Sequence, residues 1–120
     1  MKKVLIVDDE KDLVKTLEFR LKKNNYEVLC AYDGYEGLEM AKKHKPDIIL
    51  LDLMLPKRDG YKVCRLLKFD ISYRDIPIII LSARKKQEDI DLAMSSGADK
   101  YITKPFEIDD LLNKIEHFLF

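Results

Sequence analysis

The amino-acid sequence predicts an α/β domain: five strands alternate with five helices in a (βα)₅ order and form a doubly wound, five-stranded parallel sheet. Short apolar runs recur between stretches whose apolar residues have helical spacing. Three of these runs are nearly continuous Val, Ile and Leu, which is typical of strands buried on both faces of a parallel sheet. Right-handed crossovers then place helices on both faces. A chain of 120 residues suits one domain, residues 1–120, with one interior.

Five apolar runs mark the strands. In chain order they are Val4–Val7, Glu27–Ala31, Ile48–Leu51, Ile78–Leu81 and Lys100–Thr103. The helices between and after them are indicated by apolar residues three or four positions apart. These are Leu13, Val14, Leu17 and Leu21; Leu38 and Ala41; Val63, Leu66 and Leu67; Ile90, Ala93 and Met94; and Leu111, Leu112, Ile115, Phe118 and Leu119. Asp-Gly pairs precede the second and third helices, and Gly97 ends the fourth.

The composition argues against several classes of function. Lys plus Arg and Asp plus Glu number 22 each, so the chain as a whole has no electrostatic bias towards nucleic acid or an anionic membrane. No apolar run approaches membrane-spanning length, and the apolar stretch near Met1 is too short for a secretory signal. Cys30 and Cys64 lack metal-ligand spacing, and two reduced thiols in the cytoplasm are favoured over a disulfide. The last predicted helix runs to the end of the chain, so we expect no output domain within residues 1–120.

Polar residues follow four of the five predicted strands. They are Asp8, Asp9 and Glu10 after the first, Asp52 after the third, Ser82 after the fourth and Lys104 after the fifth. Ligands bind at the carboxyl ends of the strands in such sheets, so these side chains are candidates for one site. Converging carboxylates repel each other unless a divalent cation neutralises them, and Mg²⁺ prefers hard oxygen ligands. The acidic run lacks the spacing of a Ca²⁺ loop, and no His or Cys set suits zinc.

A carboxylate at the centre of this group suggests phosphoryl transfer. Carboxylates act as nucleophiles towards phosphorus, and the transfer requires in-line positioning and neutralisation of the phosphoryl oxygens. Mg²⁺ could neutralise one oxygen and Lys104 another, and the Ser82 hydroxyl could donate a hydrogen bond to the third. Taken singly, the first-strand acids or Ser82 could cap a helix and Lys104 could be a surface lysine. Asp52, among apolar neighbours, needs a partner, and the combination at successive strand ends favours a site.

The order of motifs along the chain supports a family resemblance. The motifs are Val4–Glu10, Asp33–Leu38, Pro46–Pro56, Asp59-Gly60, Pro77–Ala83, Gly97–Asp99 and Lys104–Phe106. Over essentially the whole chain, the sequence resembles the receiver (phosphoacceptor) domains of bacterial two-component response regulators, a family that includes the chemotaxis response regulator. The resemblance implies a flavodoxin-like fold with strand order 2-1-3-4-5.

The resemblance also implies roles for individual residues. Asp52 matches the phosphoacceptor. The Mg²⁺ ligands, with Mn²⁺ as a substitute metal, would be Asp8, Asp9, Asp52 and the backbone carbonyl of Met54. Ser82, Lys104 and Tyr101 match the residues that contact the phosphoryl group and switch conformation. Met54 and Arg84 are candidates for tuning the phosphate lifetime, Lys104–Pro105 matches a cis peptide bond, and Gly60 matches the glycine of the loop after the acceptor strand.

The function implied by the resemblance is signal transduction in a phosphorelay. A sensor histidine kinase or a phosphotransfer protein would supply the phosphoryl group in the cytoplasm. Phosphorylation would alter the face made by the fourth helix, fifth strand and fifth helix, with homodimerisation through that face as one outcome. The domain would not be an enzyme beyond promoting its own phosphorylation and dephosphorylation, and would bind neither nucleic acid nor membrane directly. It would stand alone or be the N-terminal receiver of a longer regulator.

Three departures separate the chain from receivers with winged-helix DNA-binding outputs. Lys100 stands where that subfamily usually has an acid, Lys114 where it usually has arginine, and the connection Phe69–Ile76 is longer. These differences argue against the charged dimer interface of that subfamily and resemble receivers that stand alone or precede enzymatic outputs.

The sequence argues against four other functions. A receiver-like module with an inactive site would not need the complete residue set. A phosphatase with an aspartyl nucleophile requires an acid two residues later, where this chain has Met54. A flavin carrier requires a phosphate-binding loop rich in Gly, Ser and Thr after the first strand, and here that loop is acidic. His44 and His117 lie among charged residues and are interpreted as solvated rather than as phosphohistidines.

Overall fold

The computed structural model describes residues 1–120 and contains the ten predicted elements in the predicted order. The strands are β1 (Lys3–Val7), β2 (Glu27–Ala31), β3 (Ile48–Asp52), β4 (Ile78–Ser82) and β5 (Lys100–Thr103). The helices are α1 (Lys11–Lys23), α2 (Gly34–His44), α3 (Gly60–Lys68), α4 (Gln87–Ser95) and α5 (Ile108–Leu119). Every predicted strand boundary agrees with the structure to within one residue.

All five strands are parallel, and their order is β2-β1-β3-β4-β5. The predicted (βα)₅ sheet and its 2-1-3-4-5 order are therefore confirmed. The chain crosses from one side of β1 to the other between β2 and β3, so the strand order switches direction between β1 and β3. That switch creates a crevice at the carboxyl ends of these two strands, where sheets of this kind bind ligands.

Two apolar clusters cover the two faces of the sheet. Alternate residues of one strand point to opposite faces, so successive residues of β1 and β3 enter different clusters. On one face the sheet packs against α2, α3 and α4 through Leu38, Ala41, Val63, Cys64, Leu67 and Ala93. On the other face it packs against α1 and α5 through Val14, Leu17, Leu21, Leu111 and Ile115. The molecule thus has three layers, with the sheet buried between helices.

Two of the apolar residues used to predict helices are not part of the interior. Leu66 is 42% exposed and Met94 is 44% exposed, so neither contributes to the core, although both have the helical spacing that predicted their helices. In α3 the positions facing the sheet are filled by Val63, Cys64 and Leu67, and Leu66 is turned about 100° from Leu67 towards solvent. In α4 only Ala93 is buried.

Both cysteines are free, and Cys64 is buried. His117 is exposed and His44 is half-buried. None of the helices is both long enough and apolar enough to span a bilayer.

Candidate functional site

Four predicted site residues lie at one edge of the sheet. Asp8 directly follows β1 and Lys104 directly follows β5. Asp52 and Ser82, which were expected just after their strands, are instead the last residues of β3 and β4. The register pairs Asp52 with Leu81, so the ends of the central strands are aligned. A side chain held by a strand inside a sheet is positioned more rigidly than one in a loop.

The carboxylates of Asp8, Asp9 and Asp52 form one cluster. One oxygen of each lies within 4.8 Å of the others. Asp8 is 1% exposed and Asp52 is 6% exposed, whereas Asp9 is open to solvent. A capping role for Asp8 or Asp9 is not what the structure shows, because the N-cap of α1 is Glu10, without a side-chain cap hydrogen bond. Asp8 instead accepts a hydrogen bond of 2.9 Å from the backbone N–H of Glu10.

Burial and like charge make Asp52 an unusual acid. Burial, with the neighbouring charge of Asp8, raises the pKa of Asp52 to about 6. The cation of Lys104 and a hydrogen bond from the backbone N–H of Met54, 3.3 Å from Oδ1, act in the opposite direction. Burial and Asp8 thus disfavour the ionised form of Asp52, whereas Lys104 and the N–H of Met54 favour it.

Lys104 is the cation of the site, and its nearest partner is Asp8. Its Nζ lies 2.7 Å from Oδ2 of Asp8, 3.4 Å from Oε1 of Glu10 and 3.6 Å from Oδ2 of Asp52. Burial alone would lower the pKa of Lys104, but the hydrogen bond to Asp8 and the charges of Asp52, Asp8 and Glu10 outweigh it and raise that pKa. Lys104 therefore stays charged and joins the ends of β1, β3 and β5.

Ser82 is fully buried beside this cluster and is linked to the loop between β4 and α4. Its Oγ accepts a hydrogen bond of 3.1 Å from the backbone N–H of Arg84. The carbonyl of Arg84 in turn accepts a hydrogen bond of 2.8 Å from the hydroxyl of Tyr101, whose half-buried ring packs on the apolar cluster beneath α3 and α4. A continuous chain of contacts therefore joins the end of β4 to β5 through Arg84.

Gly60 allows the helix after the acidic strand to begin very close to the site. A Cβ at this position would overlap the carbonyl oxygen of Asp52 and lie 2.6 Å from the Cα of Leu53. The backbone N–H of Gly60 also donates to the carbonyl of Leu53 at 3.0 Å. Asp59 caps α3 through a hydrogen bond from the backbone N–H of Lys62 at 2.9 Å. Only a residue without a side chain fits between α3 and the end of β3.

The chain matches a known protein family over most of its length. A family model described as the response regulator receiver domain matches residues 4–116. The chain belongs to the response regulator receiver family. Its resemblance to receivers, seen in the sequence motifs, is thereby confirmed.

Solved structures agree with this assignment. The receiver domain is similar to that of the Francisella response regulator 1452, with 32% identity, a TM-score of 0.91, and coverage of 98% of this chain and 96% of that chain. It is similar to the chemotaxis response regulator CheY4 of Vibrio cholerae, with 30% identity, a TM-score of 0.91 and 98% coverage of both chains. It is also similar to the BeF3-activated N-terminal receiver domain of Klebsiella pneumoniae RstA, with 29% identity, a TM-score of 0.91 and 98% coverage of both.

The oxygen donors of the receiver domain fit a small, hard divalent cation. Three carboxylates within 4.8 Å of one another, two of them buried, are a suitable ligand set for Mg²⁺, which usually combines one or two carboxylates with water and phosphate oxygens. The buried set contains neither thiolate nor imidazole, which a zinc site would require. The acidic cluster is consistent with the Mg²⁺ site expected of a receiver domain.

The other predicted residues occupy distinct places. Met54 lies just past β3, and its side chain is 54% exposed. The Lys104–Pro105 peptide bond is cis, as expected from the sequence. Neither histidine is a member of the acidic cluster.

Glu10 was among the candidate side chains at the strand ends, but the sequence alone assigned it no role. Glu10 contacts Lys104, and its signal was its place as the third acid after β1. It is therefore a second carboxylate partner for the lysine at the end of β5.

Proposed function

We propose that this receiver domain accepts a phosphoryl group on Asp52 in a Mg²⁺-dependent reaction, with a histidine kinase or a phosphotransfer protein as the donor. The observation that carries the proposal is the environment of Asp52 at the end of the central strand β3. Its carboxylate is almost fully buried, shares a 4.8 Å cluster with Asp8 and Asp9, and lies 3.6 Å from the Nζ of Lys104.

Asp52 is equipped to act as the nucleophile. Without a metal its pKa is about 6, so it is mostly ionised at neutral pH, and a bound dication would favour the ionised, nucleophilic form further. The hydrogen bond from Met54 N–H fixes the orientation of its Oδ1. In the transfer, the P–N bond of a phosphohistidine breaks, an oxygen of Asp52 bonds to phosphorus, and the imidazole leaves with the electron pair and takes up a proton. Asp8, Asp9, Asp52 and the carbonyl of Met54 would hold Mg²⁺, which when bound neutralises charge on the phosphoryl oxygens.

Lys104 and Ser82 supply the other contacts to the phosphoryl group. Lys104 is charged, its side chain is only 10% exposed, and it is within reach of Asp52, so it can exchange part of its pairing with Asp8 for an incoming phosphoryl oxygen. The Ser82 hydroxyl accepts from Arg84 N–H and keeps its own proton available for donation to a phosphoryl oxygen.

The same contacts support a conformational switch. A shift of Ser82 towards the phosphoryl group would move the backbone of Arg84, and with it the hydroxyl of Tyr101 on β5. The face made by α4, β5 and α5 would then change, which is a local electrostatic event biasing a packed arrangement. Homodimerisation through that face on phosphorylation is part of the proposal.

Met54 and Arg84 would tune the lifetime of the acyl phosphate, because they lie two residues past Asp52 and Ser82. Turnover would be limited to the domain's own phosphorylation and dephosphorylation, in the cytoplasm, without direct contact to nucleic acid. Mn²⁺ would replace Mg²⁺, since both are hard cations that bind oxygen ligands.

The test is phosphorylation by a small donor. Purified protein is incubated with acetyl phosphate and MgCl₂, and its intact mass is measured. We expect the gain of one phosphoryl group, removed by hydroxylamine, and absent in Asp52→Asn or when EDTA replaces Mg²⁺. Asp91→Asn, an acid of α4 bonded only to Gln87, is the matched control and should be phosphorylated normally. Equal labelling of wild type and Asp52→Asn would overturn the proposal.

A further inference from the structure

The side chain of Arg84 is held on α4 rather than at the acidic cluster. Its Nη1 lies 3.6 Å from Oδ1 of Asp89, in the first turn of α4. No ion pair within 4 Å joins Arg84 to any carboxylate of the cluster, where Lys104 is the cation. The backbone of Arg84 is nevertheless one hydrogen bond from Ser82. The backbone of Arg84 thus contacts Ser82, whereas its guanidinium forms no ion pair with the acidic cluster.

Asp89 is also in contact with Tyr61 of α3. The Tyr61 hydroxyl lies 3.4 Å from both the backbone carbonyl and Oδ1 of Asp89, so its one proton is shared between two long contacts that link the two helices. Burial raises the pKa of Tyr61, and a hydrogen bond from the Arg84 side chain acts in the opposite direction, so the hydroxyl contacts both members of the Arg84–Asp89 pair. The ring is nearly fully buried and belongs to the apolar cluster beneath α3 and α4, which fixes the hydroxyl. Asp89 is therefore a well-placed anchor, favoured also by the positive end of the α4 dipole.

We propose that Asp89 is a positioning residue for Arg84, and that the Arg84–Asp89 pair, held by Tyr61, sets the availability of the Arg84 cation to the phosphoryl group on Asp52. This inference rests on the proposed function, because it concerns the rate at which the same site gains and loses its phosphoryl group. With the pair intact, the guanidinium stays on α4. When the pair opens, a flexible cation tethered two residues from Ser82 becomes available to an anionic donor.

The size of the expected effect follows from the exposure of the pair. Arg84 is 41% and Asp89 21% exposed, and ion pairs in such positions shift a side-chain equilibrium by roughly two- to fivefold. Acetyl phosphate is a dianion, so a freed cation should speed its encounter with Asp52. In that step, the P–O bond to acetate breaks, acetate leaves with the electron pair, and the bond from Asp52 to phosphorus forms.

The experiment measures the rate of phosphorylation of the full chain by subsaturating acetyl phosphate in MgCl₂. We expect Asp89→Asn to raise the rate constant by about two- to fivefold at low ionic strength, and the difference to shrink in about 0.5 M NaCl because salt screens the attraction. Asp89→Glu keeps the charge and should restore the wild-type rate. Asp91→Asn removes the same charge from the same helix and should leave the rate unchanged.

A double-mutant cycle shows whether Arg84 is responsible. In an Arg84→Ala background, Asp89→Asn should have no further effect on the rate. A readout independent of phosphorylation is the ¹⁵N heteronuclear NOE of the Arg84 Nε–Hε group, which should fall in Asp89→Asn because the side chain loses its anchor. Tyr61→Phe, which keeps the buried ring and removes only the hydroxyl, should give a smaller change of the same sign.

The outcomes separate the inference from the proposed function. If wild type is phosphorylated on Asp52 and Asp89→Asn matches it in rate and in the Arg84 NOE, the positioning role is rejected and the proposed function stands. The role is also rejected if Asp91→Asn accelerates equally, or if the Asp89→Asn effect persists without Arg84. If wild type is not phosphorylated on Asp52, the proposed function itself fails.

Discussion

At the level of single residues, the site is dominated by a buried carboxylate that the fold does not fully neutralise. Asp52 is packed at the end of β3 beside Asp8, and Lys104 gives its shortest contact to Asp8, at 2.7 Å, rather than to Asp52, at 3.6 Å. The charge of Asp52 is therefore only partly compensated by Lys104. Ionisation of such a buried acid lowers the free energy of unfolding. The raised pKa of Asp52 can therefore be detected in the pH dependence of stability.

Asp52 should make the metal-free protein less stable as pH rises. Its folded-state pKa of about 6 is above its ordinary value of 3.8, so between these pH values the folded chain retains a proton that the unfolded chain has released. The cost is absent below pH 4, grows through pH 4–6 and persists above it. We expect Asp52→Asn in EDTA to exceed wild type in free energy of unfolding by roughly 1–3 kcal/mol at pH 7.5.

Urea melts of both proteins at pH 4 to 8 in EDTA measure this difference. Near pH 4 the two midpoints should coincide, because the protonated carboxyl of Asp52 and the amide that replaces it in the variant are then both neutral. Asp91→Asn serves as the control, since that exposed acid should show no such trend. A difference between wild type and Asp52→Asn that stayed constant over this range would contradict the raised pKa.

At the level of elements, the strands were the most predictable part of the molecule. Runs such as Ile48–Leu51 are buried on both faces, and such burial is typical of a central parallel strand. Helix faces were less certain, because spacing alone does not say which apolar residue of Leu66 and Leu67 meets the sheet. That choice depends on how Val63 and Cys64 pack against the strands.

The residues of the site could be predicted from the sequence, but the contacts between them could not. Asp8, Asp52, Ser82 and Lys104 could be placed together because parallel strands bring their carboxyl ends to one edge of the sheet. Pairings across the site could not be predicted, since they depend on side-chain rotamers rather than on strand order. The closest contact of Lys104 with Asp8 is one such pairing. The contact of Tyr61 with Asp89 is another, because it joins two helices whose relative placement is not encoded in a local motif.

The end of α2 offers a test of element-level stability. Lys45, its C-cap, has φ 44° and ψ 65°, a left-handed conformation that glycine adopts without steric cost. Lys45→Gly should raise the free energy of unfolding by about 0.5 kcal/mol, since relief of the left-handed strain exceeds the added entropy of the unfolded chain. Lys43→Gly, within the same helix, should lower it by about 1 kcal/mol.

Chemical denaturation of the two glycine variants, with wild type alongside, measures both effects. The test rests on the opposite signs of the two changes in the free energy of unfolding, because one variant removes an exposed lysine from the last turn of α2 and the other removes the exposed lysine that caps it. If both variants destabilised the protein equally, the left-handed conformation of Lys45 would not be the conformation adopted in solution.

At the level of the whole molecule, the acidic cluster links parts of the chain that are distant in sequence. Asp8 and Asp9 follow β1, Asp52 ends β3, and Lys104 follows β5. These three segments are far from one another in an unfolded chain. A cation held by the cluster would therefore bind the native state and scarcely the unfolded one, so its binding energy would stabilise the entire three-layer fold.

Mg²⁺ should accordingly raise the melting temperature of the protein as one cooperative transition. At a concentration 100 times its dissociation constant, a ligand specific to the native state adds about 2.7 kcal/mol, which corresponds to a shift of roughly 8–16 °C for a domain of this size. Asp9→Asn removes one exposed ligand without disturbing the buried pair of Asp8 and Lys104, and should abolish most of the shift. Asp91→Asn should retain it.

Calorimetry in MgCl₂ against NaCl of equal ionic strength separates specific binding from screening, because only a bound dication distinguishes the two salts. An equal Mg²⁺ shift in Asp9→Asn and wild type would show that the cluster does not hold the metal.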